Sequence, residues 1–347
     1  MMRCPPFRYV TPATIEEAAA VLASEGPAAM LLAGGTDVIP GMKRRTVNPA
    51  VLVSLRKVTA LREAGISSAG AILGAGLTLS DLASNARLAP WRALGRAAAQ
   101  IATPHIRNAG TLGGNLCLDT RCNYYDQNYE WRQAIDFCMK KPEGGSGVCW
   151  VAPGSPRCWA VSSTDLAPAL IALGAKVDLV STAGTRTIPL TEMYADDGIV
   201  YLAKRPDELV ADVRLGDPAG WRSTYWKLRR REAFDFPVLS LGAAVRLDAG
   251  GVVTAARLVF GAVGCRPVVA EAADKLVGKT LTDEVIDRVA DEAFKVAKPL
   301  DNTDYSLGWR KRVAKAYVAG ALRELRGDAP AQLGLLGRRA AGLRTIA

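Results

Sequence analysis

Five of the seven cysteines fall between Cys117 and Cys158, directly after the glycine turn GTLGGN at Gly110 to Asn115. Thiolates are ligands for soft metals, and cubane iron–sulfur clusters are held by four of them. The chain has one histidine, His105, so a metal centre here has to rest on sulfur, with carboxylate help at most. Cys117 stands between Leu116 and Leu118 and reads as a buried packing thiol. Cys122, Cys138, Cys149 and Cys158 have polar, aromatic or proline neighbours. Their spacings of 16, 11 and 9 match no template built on tight C-x2-C pairs. Residue chemistry alone therefore leaves an iron–sulfur centre, a structural Cys4 zinc and plain reduced thiols all open. A disulfide framework is not expected in a cytosolic chain.

Two glycine turns supply a second kind of chemistry. LLAGGTD at 31–37 sets consecutive glycines after an apolar strand, followed by a hydroxyl and a carboxylate. Main-chain N–H groups in such a turn can converge on an anion. No Gly-Lys-Ser/Thr follows, which excludes a P-loop, and GAGLTL at Gly74 lacks the third glycine of a dinucleotide fingerprint. GTLGGN repeats the arrangement, again with a threonine. Two such turns suit a diphosphate gripped from both sides by neutral donors, as in a dinucleotide such as FAD. His105, in TPHIRN, has no nucleophile or acid evidently beside it and reads as a loop hydrogen-bonding residue.

Elements must position these groups. The 347 residues are enough for two or three domains, with 49% hydrophobic and 22% charged residues. There is no apolar run near the ~20 residues of a membrane span. The start, MMRCPPFRYVTPATIEEAAAVL, fails as a secretory signal, so a cytoplasmic location is expected. The net charge of +10 comes from scattered clusters such as KRR at 43–45 and WRKRVAK at 309–315, which argues against a nucleic-acid footprint. TIEEAAAVLAS predicts a helix with Thr14 as N-cap and Glu17 completing a capping box. AAMLL and AVLVS predict strands, and together these form a first unit over residues 1–57. A second unit over 58–217 has short strands, a helix capped at Ser80, a small-residue helix at WRALGRAAA, and an insertion at 117–160. A third over 218–328 opens with two alternating strands that meet at DAGG, a hairpin signal, and closes with two amphipathic helices. Residues 329–347 read as a tail.

LLAGGTDVIPGMK, IRNAGTLGGN, STDLAPALIALGAKV and YWKLRRREAFDFPVLSLGAAVRL resemble, in order, signatures of the FAD-binding subunits of the molybdenum hydroxylases, the xanthine dehydrogenase and carbon monoxide dehydrogenase group. The resemblance covers residues 5–326. It implies an α+β chain with a two-part FAD-binding domain of the PCMH/vanillyl-alcohol-oxidase type, followed by a C-terminal α+β domain like that of CO dehydrogenase flavoproteins. It also implies that Leu32, Ala33, Gly34, Gly35, Thr36, Asp37 and Val38 hold the FAD pyrophosphate, with Thr111, Leu112, Gly113, Gly114 and Asn115 along its other side. Asp165 would bind the adenosine side, Leu209 and Lys227 would approach the flavin, and Ile101 would touch the cofactor. His105 departs from the glutamine common in relatives.

Family members reach the SD element from GGN by a short connection, whereas this chain takes almost fifty residues. NLCLDTRCNYYDQNYEWRQAIDFCMKK is similar to the extra loop of 4-hydroxybenzoyl-CoA reductase flavin subunits, which carries a [4Fe-4S] cluster. That resemblance implies Cys122, Cys138, Cys149 and Cys158 as its ligands. It further implies electrons entering from reduced ferredoxin, passing through FAD to a small [2Fe-2S] subunit and a large molybdopterin subunit, with no catalytic residue on this chain. The alternative is the flavin subunit of another molybdenum hydroxylase with a structural Cys4 zinc module.

Overall fold

The computed structural model describes residues 2–231, 233–334 and 337. Apart from Pro330–Leu333, which form a 3-10 turn, most of the expected tail lies outside the described residues. Helices and strands mix throughout, in the expected α+β manner, around three sheets.

The first sheet is parallel, with β1 (Arg8–Val10) and β2 (Ala29–Leu32) on either side of β3 (Val51–Ser54). The helix Ile15–Glu25 connects β1 to β2. Central β3, VLVS, is buried along its whole length, as a covered parallel strand should be. Thr14 caps that helix by accepting from the Glu17 N–H at 3.1 Å, but the Glu17 carboxylate reaches back to Ala13 N–H rather than to Thr14. The expected reciprocal box is thus shifted by one residue.

The second sheet is antiparallel, in the order β4 (Ala64–Ser67), β5 (Gly70–Gly74), β8 (Leu209–Leu215), β6 (Lys176–Ser181), β7 (Gly184–Pro189). The helix Leu79–Ser84 in front of it is capped by Thr78 in a full capping box with Asp81, not by Ser80. The reason is geometric. The cap must be extended, as Thr78 is, and its hydroxyl must reach the third helical N–H.

The third sheet runs β12 (Val268–Val269), β11 (Val253–Gly261), β10 (Leu239–Leu247), β9 (Trp221–Leu228), and β10 meets β11 across the expected DAGG turn. The helices Asp283–Ala293 and Leu307–Arg326 pack on it.

The helix Leu166–Ala172, LAPALIA, is buried on every side and joins the second and third sheets. It lies against glycine: a Cβ on Gly242 of β10 would sit 2.6 Å from the Pro168 carbonyl carbon. That close approach brings Tyr225, Ala244 and Val259 of the third sheet into the core of the second. Each large apolar side chain fully buried there contributes about 1.5–3 kcal/mol.

Candidate functional site

β2 ends at Leu32 and the chain turns at once through Ala33–Asp37 before the helix Val38–Lys43. Gly35 has φ +72°, which a side chain rarely tolerates. The N–H groups of Gly34, Gly35, Thr36 and Asp37 have no main-chain acceptor among the described residues. The second turn lies directly against this one. A Cβ on Gly34 would stand 2.5 Å from the Ala109 carbonyl carbon and closer still to its oxygen. A Cβ on Gly110 would stand 3.6 Å from the Thr36 hydroxyl.

In the second turn Thr111 caps the short helix Leu112–Leu116 by accepting from Gly114 N–H at 3.1 Å. The N–H groups of Leu112 and Gly113 donate to the carbonyls of Leu77 and Ala75, which anchors the turn to the second sheet. The Asn115 amide oxygen accepts from the Thr164 hydroxyl at 2.8 Å and Leu166 N–H at 3.1 Å. The turn is thereby tied to the STD segment.

The structure brings Asp165 and Lys227 together. The Lys227 ammonium stands 3.0 Å from Asp165 Oδ1, with both side chains almost wholly buried, and also donates to the Gln100 carbonyl at 3.1 Å. The Tyr225 hydroxyl donates to Asp165 Oδ1 at 2.6 Å. Burial pushes the Asp165 carboxyl up and the Lys227 ammonium down, each shift opposed by the partner's charge.

Ile101, next to Gln100, is buried in the main core. Leu209 opens β8 fully buried with Val51 and Val53, in the small core beneath the first sheet, and so underlies the sheet that carries the Gly34 turn. His105 is exposed, and its side chain makes no hydrogen bond among the described residues.

The four candidate cysteines, far apart in sequence, line one cavity together with Tyr124, Tyr125, Met139, Lys140, Trp150, Val151 and Ala160. The cavity is tight, with a volume of about 10 Å³. Cys122, Cys138, Cys149 and Cys158 are all buried and unpaired. Cys117 is half-buried against the main core, close to the packing role expected for it. Among the described residues no group of three or more His, Cys, Asp or Glu converges tightly enough for a single metal ion.

Burial pushes the Cys122 thiol up to about 12 and the Cys158 thiol up to about 11. Metal binding would have to release those protons. The donor set is all sulfur, a chemistry shared by iron–sulfur clusters and Cys4 zinc sites, with Ala160 N–H 3.4 Å from Cys158 Sγ.

Arg121 joins the two halves of the site. It pairs with Asp37 of the first glycine turn and with Asp126 at 3.1 Å, while Asp126 accepts from Cys122 N–H at 3.0 Å. Arg132 reaches the carbonyls of Arg44 and Arg45 at 3.2 and 3.3 Å, just past the helix that follows the same turn. Sequence reading missed Arg121, Lys140 and Gly198. A Cβ on Gly198 would press on Cys158 Sγ at 2.7 Å, and no spacing rule connects residues that far apart.

Residues 5–218 match the FAD binding domain in molybdopterin dehydrogenase, and residues 223–325 match the CO dehydrogenase flavoprotein C-terminal domain. The aldehyde oxidoreductase FAD-binding subunit PaoB of Escherichia coli is 31% identical over 320 residues, covering 90% of this chain and 96% of that one. The carbon monoxide dehydrogenase medium chain of Hydrogenophaga pseudoflava is 26% identical over 324 residues, 92% and 96% of the two chains. Among solved structures, carbon monoxide dehydrogenase from Hydrogenophaga pseudoflava superimposes with a TM-score of 0.74 at 25% identity, over 93% of this chain and 98% of that one. Quinoline 2-oxidoreductase from Pseudomonas putida 86 gives 0.72 at 26% identity, over 94% and 98%.

Proposed function

Because this chain belongs to the FAD-binding electron-transfer subunits of the molybdenum hydroxylases, oxidoreductases, we propose that it carries a [4Fe-4S] cluster beside its FAD in the medium subunit of a 4-hydroxybenzoyl-CoA reductase. The single observation behind the cluster is the convergence of Cys122, Cys138, Cys149 and Cys158 on one cavity. When bound, flavin mediates between one-electron and two-electron partners, and iron–sulfur centres supply single electrons.

The chain's own residues bind and orient. The free N–H groups of Gly34 to Asp37 offer the diphosphate a cradle between Leu32 and Val38, closed on its far side by Thr111–Asn115. On the same reading Asp165, Lys227 and Ile101 belong to the cofactor's surroundings, and Leu209 supports the sheet that carries the first turn. The Arg121–Asp37 contact holds the thiol cavity against the cradle. The division into residues 1–57, 58–217 and 218–328 belongs to the same reading.

The partners on this reading are a large molybdopterin subunit, a small [2Fe-2S] subunit and reduced ferredoxin as donor. Two electrons and two protons would replace the phenolic hydroxyl of the thioester by hydrogen and release water, on the large subunit. Seven unpaired cysteines fit a reducing, cytoplasmic setting, and among the described residues no helix is long and apolar enough to cross a membrane.

Iron and acid-labile sulfide analysis of anaerobically purified protein, with visible spectra before and after dithionite, tests the cluster. Iron with sulfide and a dithionite-bleached band beyond the flavin spectrum supports it. Zinc without iron, or flavin alone, overturns it. Co-purification with a large and a small iron–sulfur subunit, and turnover of 4-hydroxybenzoyl-CoA by that complex, tests the rest.

A further inference from the structure

We propose that Lys140 is a potential-tuning residue: its buried ammonium favours the reduced state of the cluster inferred above. The proposal rests on that reading of the four cysteines. Among the residues lining the cavity, Lys140 alone carries a fixed positive charge, and none of the others is a carboxylate. Its side chain is 6% exposed.

Three acceptors hold it. Lys140 Nζ donates to Asp119 Oδ1 at 2.7 Å, to the Thr120 hydroxyl at 2.7 Å and to the Gly198 carbonyl at 2.6 Å. It also lies over the rings of Tyr125 and Tyr201, 4.8 and 5.3 Å from their centroids. Both ends of this arrangement are pinned to candidate ligands. Cys138 and Lys141 pair across a tight turn that contains Lys140, and Gly198 donates its N–H to the Cys158 carbonyl at 3.0 Å while packing on the Cys158 sulfur.

The carboxylate that balances Lys140 does not line the cavity. Asp119 is held by the Tyr125 hydroxyl at 3.1 Å and is absent from the lining, so of the pair only Lys140 borders the sulfurs. The other nearby carboxylate, Asp126, faces the Cys122 main chain and is matched by Arg121. One-electron reduction adds a negative charge to a cluster, and in a poorly solvated site a neighbouring cation stabilises that charge. Neutralising the lysine therefore disfavours the reduced form, and neutralising its aspartate partner favours that form.

The test is an EPR-monitored redox titration of anaerobically purified protein, with iron and sulfide measured for each variant. Lys140→Met is expected to shift the reduced-to-oxidised ratio at fixed potential about tenfold toward oxidised, a fall of about 59 mV in midpoint for one electron. Lys140→Arg, which keeps the charge, is expected to stay near wild type. Asp119→Asn is expected to shift the midpoint upward. A purely structural lysine would produce no such opposite pair.

Lys140→Met with full iron and an unchanged midpoint overturns the proposal while leaving the cluster in place. If Lys140→Met loses its iron, Asp119→Asn decides, and an unchanged or lowered midpoint there overturns it. Wild-type protein without iron or sulfide overturns the cluster reading, and this one with it.

Discussion

Gly34→Ala puts the diphosphate cradle to a direct test. The new Cβ would stand 2.5 Å from the Ala109 carbonyl carbon and nearer its oxygen, and real Cβ atoms essentially never approach within 3.0 Å. Both neighbours are main chain, so neither can swing aside, and the two turns have to part by more than the 0.5 Å difference. A hydrogen bond to a phosphate oxygen lengthened by that much from about 2.8 Å passes the limit of useful geometry. Two such bonds at about 1.5–3 kcal/mol each amount to roughly 3–6 kcal/mol, or about 10²- to 10⁴-fold in FAD affinity. The assay is flavin content after purification, followed by titration of the deflavinated protein with FAD, read by quenching of flavin fluorescence. Gly65→Ala, where a Cβ meets nothing within 4 Å, is the control and should bind as wild type does. Gly34→Ala protein that melts like wild type and binds FAD within threefold of wild type would refute the cradle.

The buried Lys227–Asp165 pair makes a second prediction: Lys227→Met strands a buried carboxylate and costs about 3–5 kcal/mol in thermal or urea unfolding. The double variant Lys227→Met with Asp165→Asn should cost less than the two single changes added together, and strict additivity would show that the pair is not coupled. A third concerns Glu324, which is 6% exposed and meets Arg96, Trp226 Nε1 at 2.7 Å and Thr224 at 2.8 Å. Burial alone would raise its carboxyl, but the Arg96 charge and these donors together hold it below the usual range. A depressed folded value means that its stabilisation is present above the ordinary pKa of about 4.3 and is lost as pH falls through the folded value. Glu324→Gln should lower stability by about 1.5–3 kcal/mol at neutral pH and flatten the melting curve against pH in that acid window. A parallel offset at every pH would contradict the assignment.

Local chemistry was readable from the sequence wherever a residue type dictates its own backbone. Gly34 and Gly35 end β2, DAGG turns β10 into β11, and the alternating apolar residues of the third unit form strands where expected. The helix start at Thr78 was misplaced onto Ser80, because both hydroxyls satisfy the cap preference and only the backbone chooses between them. The helix Tyr129–Ala134 in the cysteine segment gave no periodic signal, since six residues are too few to show one. What stayed hidden was contact between distant residues. Nothing in YWKL shows that Lys227 closes on Asp165, nothing in TRC that Arg121 reaches Asp37, and nothing in DDG that Gly198 supports Cys158. The cysteine positions were legible as a set, but their common cavity was visible only in three dimensions.

Arg121 and Val161 exchange main-chain hydrogen bonds at 2.8 and 2.7 Å, so the cysteine segment leaves and re-enters the scaffold at one doorway. Such a segment behaves as a cassette. Its endpoints are already neighbours, so its length adds only a slowly growing closure entropy to folding. A flavoprotein scaffold of this kind can take up or lose the whole segment at that doorway while its sheets and glycine turns stay as they are.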